Sequence, residues 1–215
     1  MKKSIQKAPY LLFLLVFPAL AIVYSFLNNR SHKAFDISTT MDQVIPFLSF
    51  FIIPYIFWYV YIFMFLIYFW YKDTKIYVRT LLLIVVAELI CFVIYFFFQT
   101  TVPRPTIQGD NFLQVLVQWI YENDRPYNCF PSIHVLTTFA VMLASLHIKN
   151  KHLITNLCIH VSGSLIIIST LFVKQHVILD MVGSMFLVTF LYGITFELLI
   201  FRLGEKSEPI SLKNK

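Results

Sequence analysis

The chain has 215 residues, of which 59% are hydrophobic and 13% are charged. This composition is too apolar for a soluble domain of this length and indicates an integral membrane protein. The formal net charge of +6 does not require a nucleic-acid partner, because basic loops beside anionic lipid account for it.

Six apolar runs follow one another along the chain. They occupy residues 8–27, 51–71, 80–98, 132–148, 153–173 and 177–201. Each is close to the ~20 residues that a membrane-spanning helix requires. The first run is too long for a signal peptide and lacks a small-residue cleavage site. The sequence therefore predicts an all-α integral membrane protein, a six-transmembrane-helix bundle that forms a single domain over residues 1–215.

The distribution of lysine and arginine predicts the orientation. With the N-terminus inside, twelve of the 17 cations face the cytoplasm, and the other five are Arg30, Lys33, Arg104, Arg125 and Lys174. Cytoplasmic loops carry the excess of positive charge in membrane proteins. We therefore expect both termini to be cytoplasmic, in the plasma membrane of a bacterium, with the oligomeric state left open.

The longest predicted outer segment runs from residue 99 to residue 131. Apolar residues recur in it at helical spacing among polar ones, at Phe112, Leu113, Leu116, Trp119 and Ile120. This pattern predicts a short amphipathic helix lying on the membrane surface.

Ionisable residues are costly inside a membrane bundle, so their positions indicate function. Arg104 follows the third predicted helix, His134 opens the fourth, and Lys174, His176 and Asp180 join the fifth to the sixth. With six crossings, all of these positions fall at the outer ends of helices. The sequence therefore predicts one active site at the outer face.

The residue types at this predicted site suit phosphoryl transfer. His176 and Asp180 are four apart at a helix start, so the carboxylate can reach and orient the imidazole. Such an imidazole can act as a nucleophile, while His134 donates a proton to the leaving group. Arg104 and Lys174 can stabilise the phosphoryl oxygens.

Three segments resemble the signature motifs of the type-2 phosphatidic acid phosphatase superfamily. They are PRP at 103–105, PSIH at 131–134 and STLFVKQHVILD at 169–180, within a region of resemblance over about 97–183. The resemblance implies a metal-independent enzyme without cofactors. It also implies residue roles: nucleophile His176, its partner Asp180, general acid His134, and phosphate ligands Arg104 and Ser132. Ser132 precedes a predicted helix, whose exposed amides favour an anion.

The chain departs from the family pattern at three positions. Phe97 replaces the usual lysine of the first motif, Ile133 the glycine of the second, and Thr170 the arginine of the third. Lys174 is a candidate replacement, because in an extended loop it points to the same side as His176. The Lys-Gln-His form resembles a divergent branch that includes relatives of inositol phosphorylceramide synthase.

The leading interpretation is a lipid-phosphate phosphatase that hydrolyses a phosphomonoester or diphosphate of a lipid through a phosphohistidine. The substrate is then a phospholipid or a polyprenyl diphosphate. One alternative is a lipid head-group phosphotransferase, in which an alcohol replaces water. Another is a catalytically inactive relative that binds or transports lipid. Glu88, inside the third predicted helix, is an intramembrane carboxylate with a candidate role in proton transfer.

Overall fold

The computed structural model describes residues 7–29 and 33–198. Its helices are α1 (Ala8–Asn28), α2 (Thr40–Val44), α3 (Ser49–Lys72), α4 (Thr74–Phe97), α5 (Phe112–Asn123), α6 (Ile133–Ser145), α7 (Leu153–Phe172) and α8 (Ile178–Tyr192, continued by a π-helix over Gly193–Leu198). Two short strands, β1 (Phe35–Asp36) and β2 (Thr100–Thr101), pair in parallel.

Five helices of the described part are long and apolar enough to cross a membrane: α1, α3, α4, α7 and α8. The remaining predicted span, 132–148, forms the helix α6, which has only 13 residues. This is shorter than the ~20 residues of a typical span. The prediction of an all-α membrane protein is confirmed, whereas six crossings stay a prediction.

Helix α6 lies at the centre of the bundle and packs against α3, α4, α7 and α8. Most of its side chains are buried, among them Leu136, Ala140, Val141 and Ala144. Because other helices cover it, α6 does not have to reach both membrane surfaces to shield its own backbone.

Short polar signals set the helix boundaries. Asp73 separates α3 from α4, and its carboxylate accepts hydrogen bonds from the backbone N–H groups of Lys75 and Ile76 at 2.9 and 3.4 Å. Asn111 caps α5 by accepting from the Gln114 N–H at 3.0 Å. Such caps satisfy amides that have no partner within the helix.

Large aromatic side chains fill the core, and several of them form hydrogen bonds within the protein. The Tyr61 hydroxyl donates to the Ile159 carbonyl at 3.0 Å, and the Tyr77 hydroxyl donates to the Tyr10 carbonyl at 3.0 Å. The Trp58 indole donates to the Thr137 hydroxyl at 2.8 Å. A polar atom buried without a partner would cost free energy, so these contacts allow the aromatic rings to be buried.

Helix α5 forms where the sequence predicted a helix in the long loop. Val117 and Ile120 are buried against a small cluster that includes Ile52 and Val173, while Phe112 and Trp119 are exposed. The helix is therefore attached to the bundle by one face. Its position on a membrane surface stays a prediction.

Several predictions concern residues outside the described part of the chain. These are the two termini, the last residues of the sixth predicted span, and the cations Lys2, Lys3, Arg30, Arg202, Lys206, Lys213 and Lys215. The orientation, the single-domain organisation and the bacterial plasma membrane likewise stay predictions.

Glycine allows close packing of α7 at Gly163. A Cβ there would lie 2.8 Å from both the Met142 sulfur and the Tyr61 hydroxyl. We expect Gly163→Val to lower the free energy of unfolding by about 1–3 kcal/mol through overpacking, measured as a lower thermal unfolding midpoint in detergent. The control is Gly193→Val, because a Cβ on Gly193 meets nothing within 4 Å. Equal midpoints for the two variants would contradict this packing argument.

Candidate active site

His134 and His176 lie side by side at one end of the bundle, which we call the site end. Their ring centroids are 5.6 Å apart and the ring planes are inclined by 58°. His134 is the second residue of α6, and His176 lies two residues before the start of α8. The structure thus brings together two imidazoles that are 42 positions apart in the chain.

Asp180 orients the imidazole of His176. Its Oδ2 lies 3.2 Å from His176 Nδ1 and accepts the Val177 N–H at 3.0 Å. Asp180 is fully buried, at 0% exposure, and is the third residue of α8. The pairing assigns a proton to Nδ1 and leaves Nε2 as the nitrogen available for attack.

Aromatic rings surround His134. Its ring centroid lies 4.7 Å from that of Tyr55 and 4.3 Å from that of Trp58. The imidazole is only 9% exposed. These contacts restrict the rotamers of His134 and reduce the access of water to its ring.

Ser132 and Ser184 join the starts of α6 and α8. Ser132 caps α6, because its hydroxyl accepts the Val135 N–H at 3.4 Å. The Ser184 hydroxyl donates to the Ser132 carbonyl at 3.0 Å and to the Asp180 carbonyl at 2.7 Å. Ser132 is therefore close to both histidines and has a clear packing role. Its predicted contact with phosphate stays a prediction.

Arg104 approaches the site from the long loop. Its guanidinium lies over the Tyr121 ring, 4.5 Å from the centroid, and donates to the Asp124 carbonyl at 2.8 Å. It also donates to the side-chain oxygen of Gln175, which directly precedes His176 in the chain. Nε has no hydrogen-bond partner in the described part of the chain. Arg104 thus holds the segment that carries His176 in place.

Lys174 lies in a tight turn, so the expectation of an extended loop is wrong. Its φ is 54°, and the N–H groups of Gln175 and His176 both donate to the Thr170 carbonyl, which closes a turn after α7. The Lys174 amine donates to the carbonyls of Asp42 and Ile45, at 2.8 and 2.5 Å. Burial lowers the pKa of Lys174, and the charge of Asp42 opposes that shift.

The sequence reasoning missed Asp42, which holds the start of α8. Its Oδ1 accepts the Ile178 N–H at 2.7 Å, and its Oδ2 accepts the N–H and hydroxyl of Thr39, both at 2.7 Å. Burial raises the pKa of Asp42, but these hydrogen bonds outweigh burial and the pKa is lowered overall. The signal was present as a Thr-x-x-Asp capping box at residues 39–42.

Asp124 was also missed. Its Oδ1 accepts the Tyr24 hydroxyl at 2.8 Å and the Asn28 amide at 3.1 Å. Burial raises its pKa, while the Tyr24 hydrogen bond and the charges of Arg104 and His176 oppose the shift. Asp124 lines the same cavity as the two histidines. No motif marks it, because its partners come from α1.

One group of described residues could hold a metal ion. Ligand atoms of Cys129, His176 and Asp180 lie within 4.8 Å of one another. The His176 and Asp180 atoms already contact each other, and the Asp180 carboxylate also accepts the Val177 N–H. The geometry of this pair therefore has an explanation without an ion, and metal independence stays a prediction.

A test of the Asp42 contacts is Asp42→Asn, whose amide nitrogen cannot accept from Thr39. We expect the free energy of unfolding to fall by about 1–3 kcal/mol at neutral pH. The folded-state pKa of Asp42 is lowered, so its stabilisation is complete above the unfolded pKa of ~3.9 and is lost as the pH falls through the folded pKa.

Denaturation of both proteins across this pH range measures the difference. The gap between wild type and Asp42→Asn should shrink below about pH 4. Asp110→Asn is the control, since Asp110 is exposed. A gap independent of pH would contradict the assigned hydrogen bonds.

Comparison with known families identifies this arrangement. A family model described as the PAP2 superfamily matches residues 76–205, a range that contains Arg104, both site histidines and Asp180. Comparison with curated proteins and with solved structures gives no match. Members of the superfamily are phosphatases or phosphotransferases. Since the match covers more than half of the chain and the resemblance of its motifs is confirmed, the chain belongs to the PAP2 superfamily, the type-2 phosphatidic acid phosphatases.

Proposed function

We propose that the protein is a lipid-phosphate phosphatase that works through a phosphohistidine on His176. Family membership supports a function of the lipid phosphatase or phosphotransferase type in a membrane protein. The observation that carries the finer proposal is the pair of imidazoles 5.6 Å apart, one of them bonded to a buried carboxylate. The phosphoryl group then binds beside both rings, within reach of a nitrogen of each.

In the first step, Nε2 of His176 attacks phosphorus and forms a P–N bond. The P–O bond to the lipid breaks, and His134 donates its proton to the departing oxygen, which releases the lipid alcohol. The imidazole of His176 becomes positively charged during attack. The Asp180 carboxylate at 3.2 Å from Nδ1 stabilises that charge.

In the second step, water attacks the phosphohistidine. His134, now neutral, accepts a proton from the water as the new P–O bond forms. The P–N bond breaks, inorganic phosphate leaves, and His176 returns to its starting state. The aromatic neighbours of His134 hold its ring in one orientation, which favours proton exchange with the departing oxygen and with the attacking water.

The phosphoryl oxygens require hydrogen-bond donors. Arg104 and the amides at the start of α6, beside Ser132, are the proposed ligands, because a cation and a helix N-terminus both favour an anion. The Lys174 amine donates to the carbonyls of Asp42 and Ile45. It can bind the phosphoryl oxygens only if these two hydrogen bonds break. We propose that the site end of the bundle faces outward.

Head-group transfer to an alcohol is a second candidate, and the shortage of positive charge favours it. The Lys174 amine contacts two carbonyls, and Asp124 adds a carboxylate to the cavity. Such a site suits a phosphodiester with one negative charge better than a phosphomonoester with two. An inactive binding or transport relative is less well supported, because an oriented imidazole pair has little structural use.

Mutation of the proposed nucleophile tests the function. We expect His176→Ala to lower phosphate release from lipid phosphates in detergent micelles at least about 1,000-fold. Asp180→Asn should lower it about 100-fold to 10,000-fold, because the imidazole loses its orienting carboxylate. The control His152→Ala, at an exposed position before α7, should remain active. Full activity of His176→Ala would refute the proposal.

A lipid panel separates water from alcohol as the acceptor. Phosphatidic acid, a polyprenyl diphosphate and phosphodiester lipids are incubated with the protein, with and without a chelator. The phosphatase proposal expects free phosphate and no new phospholipid, unchanged by the chelator. A new phospholipid that depends on added lipid alcohol would instead establish the transferase.

A further inference from the structure

The cavity that holds the two imidazoles continues into the bundle between α1, α3 and α4. Its volume is about 480 Å³, and its deeper wall is apolar, with Leu20, Ile62 and Phe63 among the lining residues. This volume is typical of sites for organic ligands and exceeds the needs of a phosphate group. The cavity therefore has room for part of the lipid as well.

Apolar side chains line the deeper part of the cavity. Tyr59 and Phe63 contribute to its wall and are also partly exposed. The rings of Phe17 on α1 and Phe63 on α3 contact each other, with centroids 5.2 Å apart. This part of the cavity offers apolar contacts to the hydrocarbon end of a lipid, while the polar end of the lipid stays beside the histidines.

Glu88 is an ionisable residue on this largely apolar wall. It is 5% exposed and lines the cavity from α4. No hydrogen bond or ion pair from the described part of the chain reaches its carboxyl group, whereas the hydroxyls of Tyr24 and Tyr95 on the same wall donate to Asp124 and to the Pro131 carbonyl. A buried carboxyl group without a partner is unfavourable. The occupant of the cavity can supply the missing partner.

The depth of Glu88 indicates which part of a lipid it meets. The Tyr95–Pro131 hydrogen bond aligns the end of α4 with the start of α6. Glu88 lies about 10 Å before Tyr95 along α4, at 1.5 Å per residue, which is about two helical turns further into the bundle. His134 lies only three residues after Pro131, at the start of α6. Glu88 therefore faces the part of the cavity that lies below the phosphate position.

We propose that Glu88 selects lipid phosphates that carry a hydroxyl or an amide N–H in the region linking the phosphate to the hydrocarbon chains. The inference rests on the proposed function and names the substrate class of that site. The carbonyl oxygen of a carboxyl group accepts hydrogen bonds from O–H and N–H groups, which the ester linkages of a diacyl lipid do not supply. An isoprenoid chain has no polar group at this depth and leaves Glu88 unpaired.

A matched pair of lipids isolates this contact. One is an alkylglycerol phosphate with a free central hydroxyl, and the other is the same lipid with that hydroxyl methylated. In micelles of one detergent, we expect the wild type to favour the hydroxyl lipid in kcat/KM at least about tenfold, as sites built to bind a hydroxyl do. Diacyl phosphatidic acid should resemble the methylated lipid.

Variants connect the preference to Glu88. In Glu88→Leu the ratio of kcat/KM for the two lipids should approach one, while Glu88→Gln should keep part of the preference because its amide oxygen still accepts. Glu122→Gln removes an exposed carboxylate from α5 and should retain the wild-type ratio. The ratio is taken within one preparation, so it does not depend on the fraction of protein that is folded.

Each outcome decides the inference. No preference in the wild type, a preference for the methylated lipid, or an undiminished preference in Glu88→Leu overturns the role of Glu88 and leaves the proposed function intact. Absence of turnover of every lipid by the wild type overturns the proposed function, and this inference with it. The inference is supported if Glu88→Leu loses the preference, Glu88→Gln keeps part of it and Glu122→Gln retains the wild-type ratio.

Discussion

The hydrogen bonds of Asp180 hold the site together. Its carboxylate contacts His176 Nδ1 and the Val177 N–H, and its backbone carbonyl accepts the Ser184 hydroxyl at 2.7 Å. Since Ser184 also donates to the Ser132 carbonyl at 3.0 Å, one buried residue sets the position of both helix starts. A carboxylate buried in a low-dielectric interior is stable only when its partners are in place. The spacing of the two imidazoles follows from this network.

Many buried polar groups in the rest of the bundle are also paired. The hydroxyls of Tyr61 and Tyr77 and the indole of Trp58 all have acceptors inside the protein. Polar atoms that hydrocarbon cannot solvate must find partners within the chain. This requirement also explains why the starts of α6 and α8 meet: the unpaired amides at a helix N-terminus are satisfied by caps and by neighbouring oxygen atoms. Glu88 differs from them because its carboxyl group lines the cavity.

The cations near the site make contacts within the protein. Lys174 contacts backbone carbonyls, and Arg104 fixes the segment that carries His176. Phe97 and Thr170 stand where the signature motifs that the chain resembles have cations. Family membership supports a reaction of the phosphatase or phosphotransferase type.

Local patterns in the sequence were sufficient for the membrane class, for most of the helices, for the helix in the long loop and for the pairing of His176 with Asp180. These features depend on composition, on periodicity or on residues one helical turn apart. Only the tertiary structure decided the short central helix α6, the turn at Lys174 and the contributions of Asp42 and Asp124. Asp42 meets Ile178 across 136 positions, and Asp124 meets Tyr24 across 100. No local pattern encodes such contacts, because they arise when distant helix ends pack into one polar cluster.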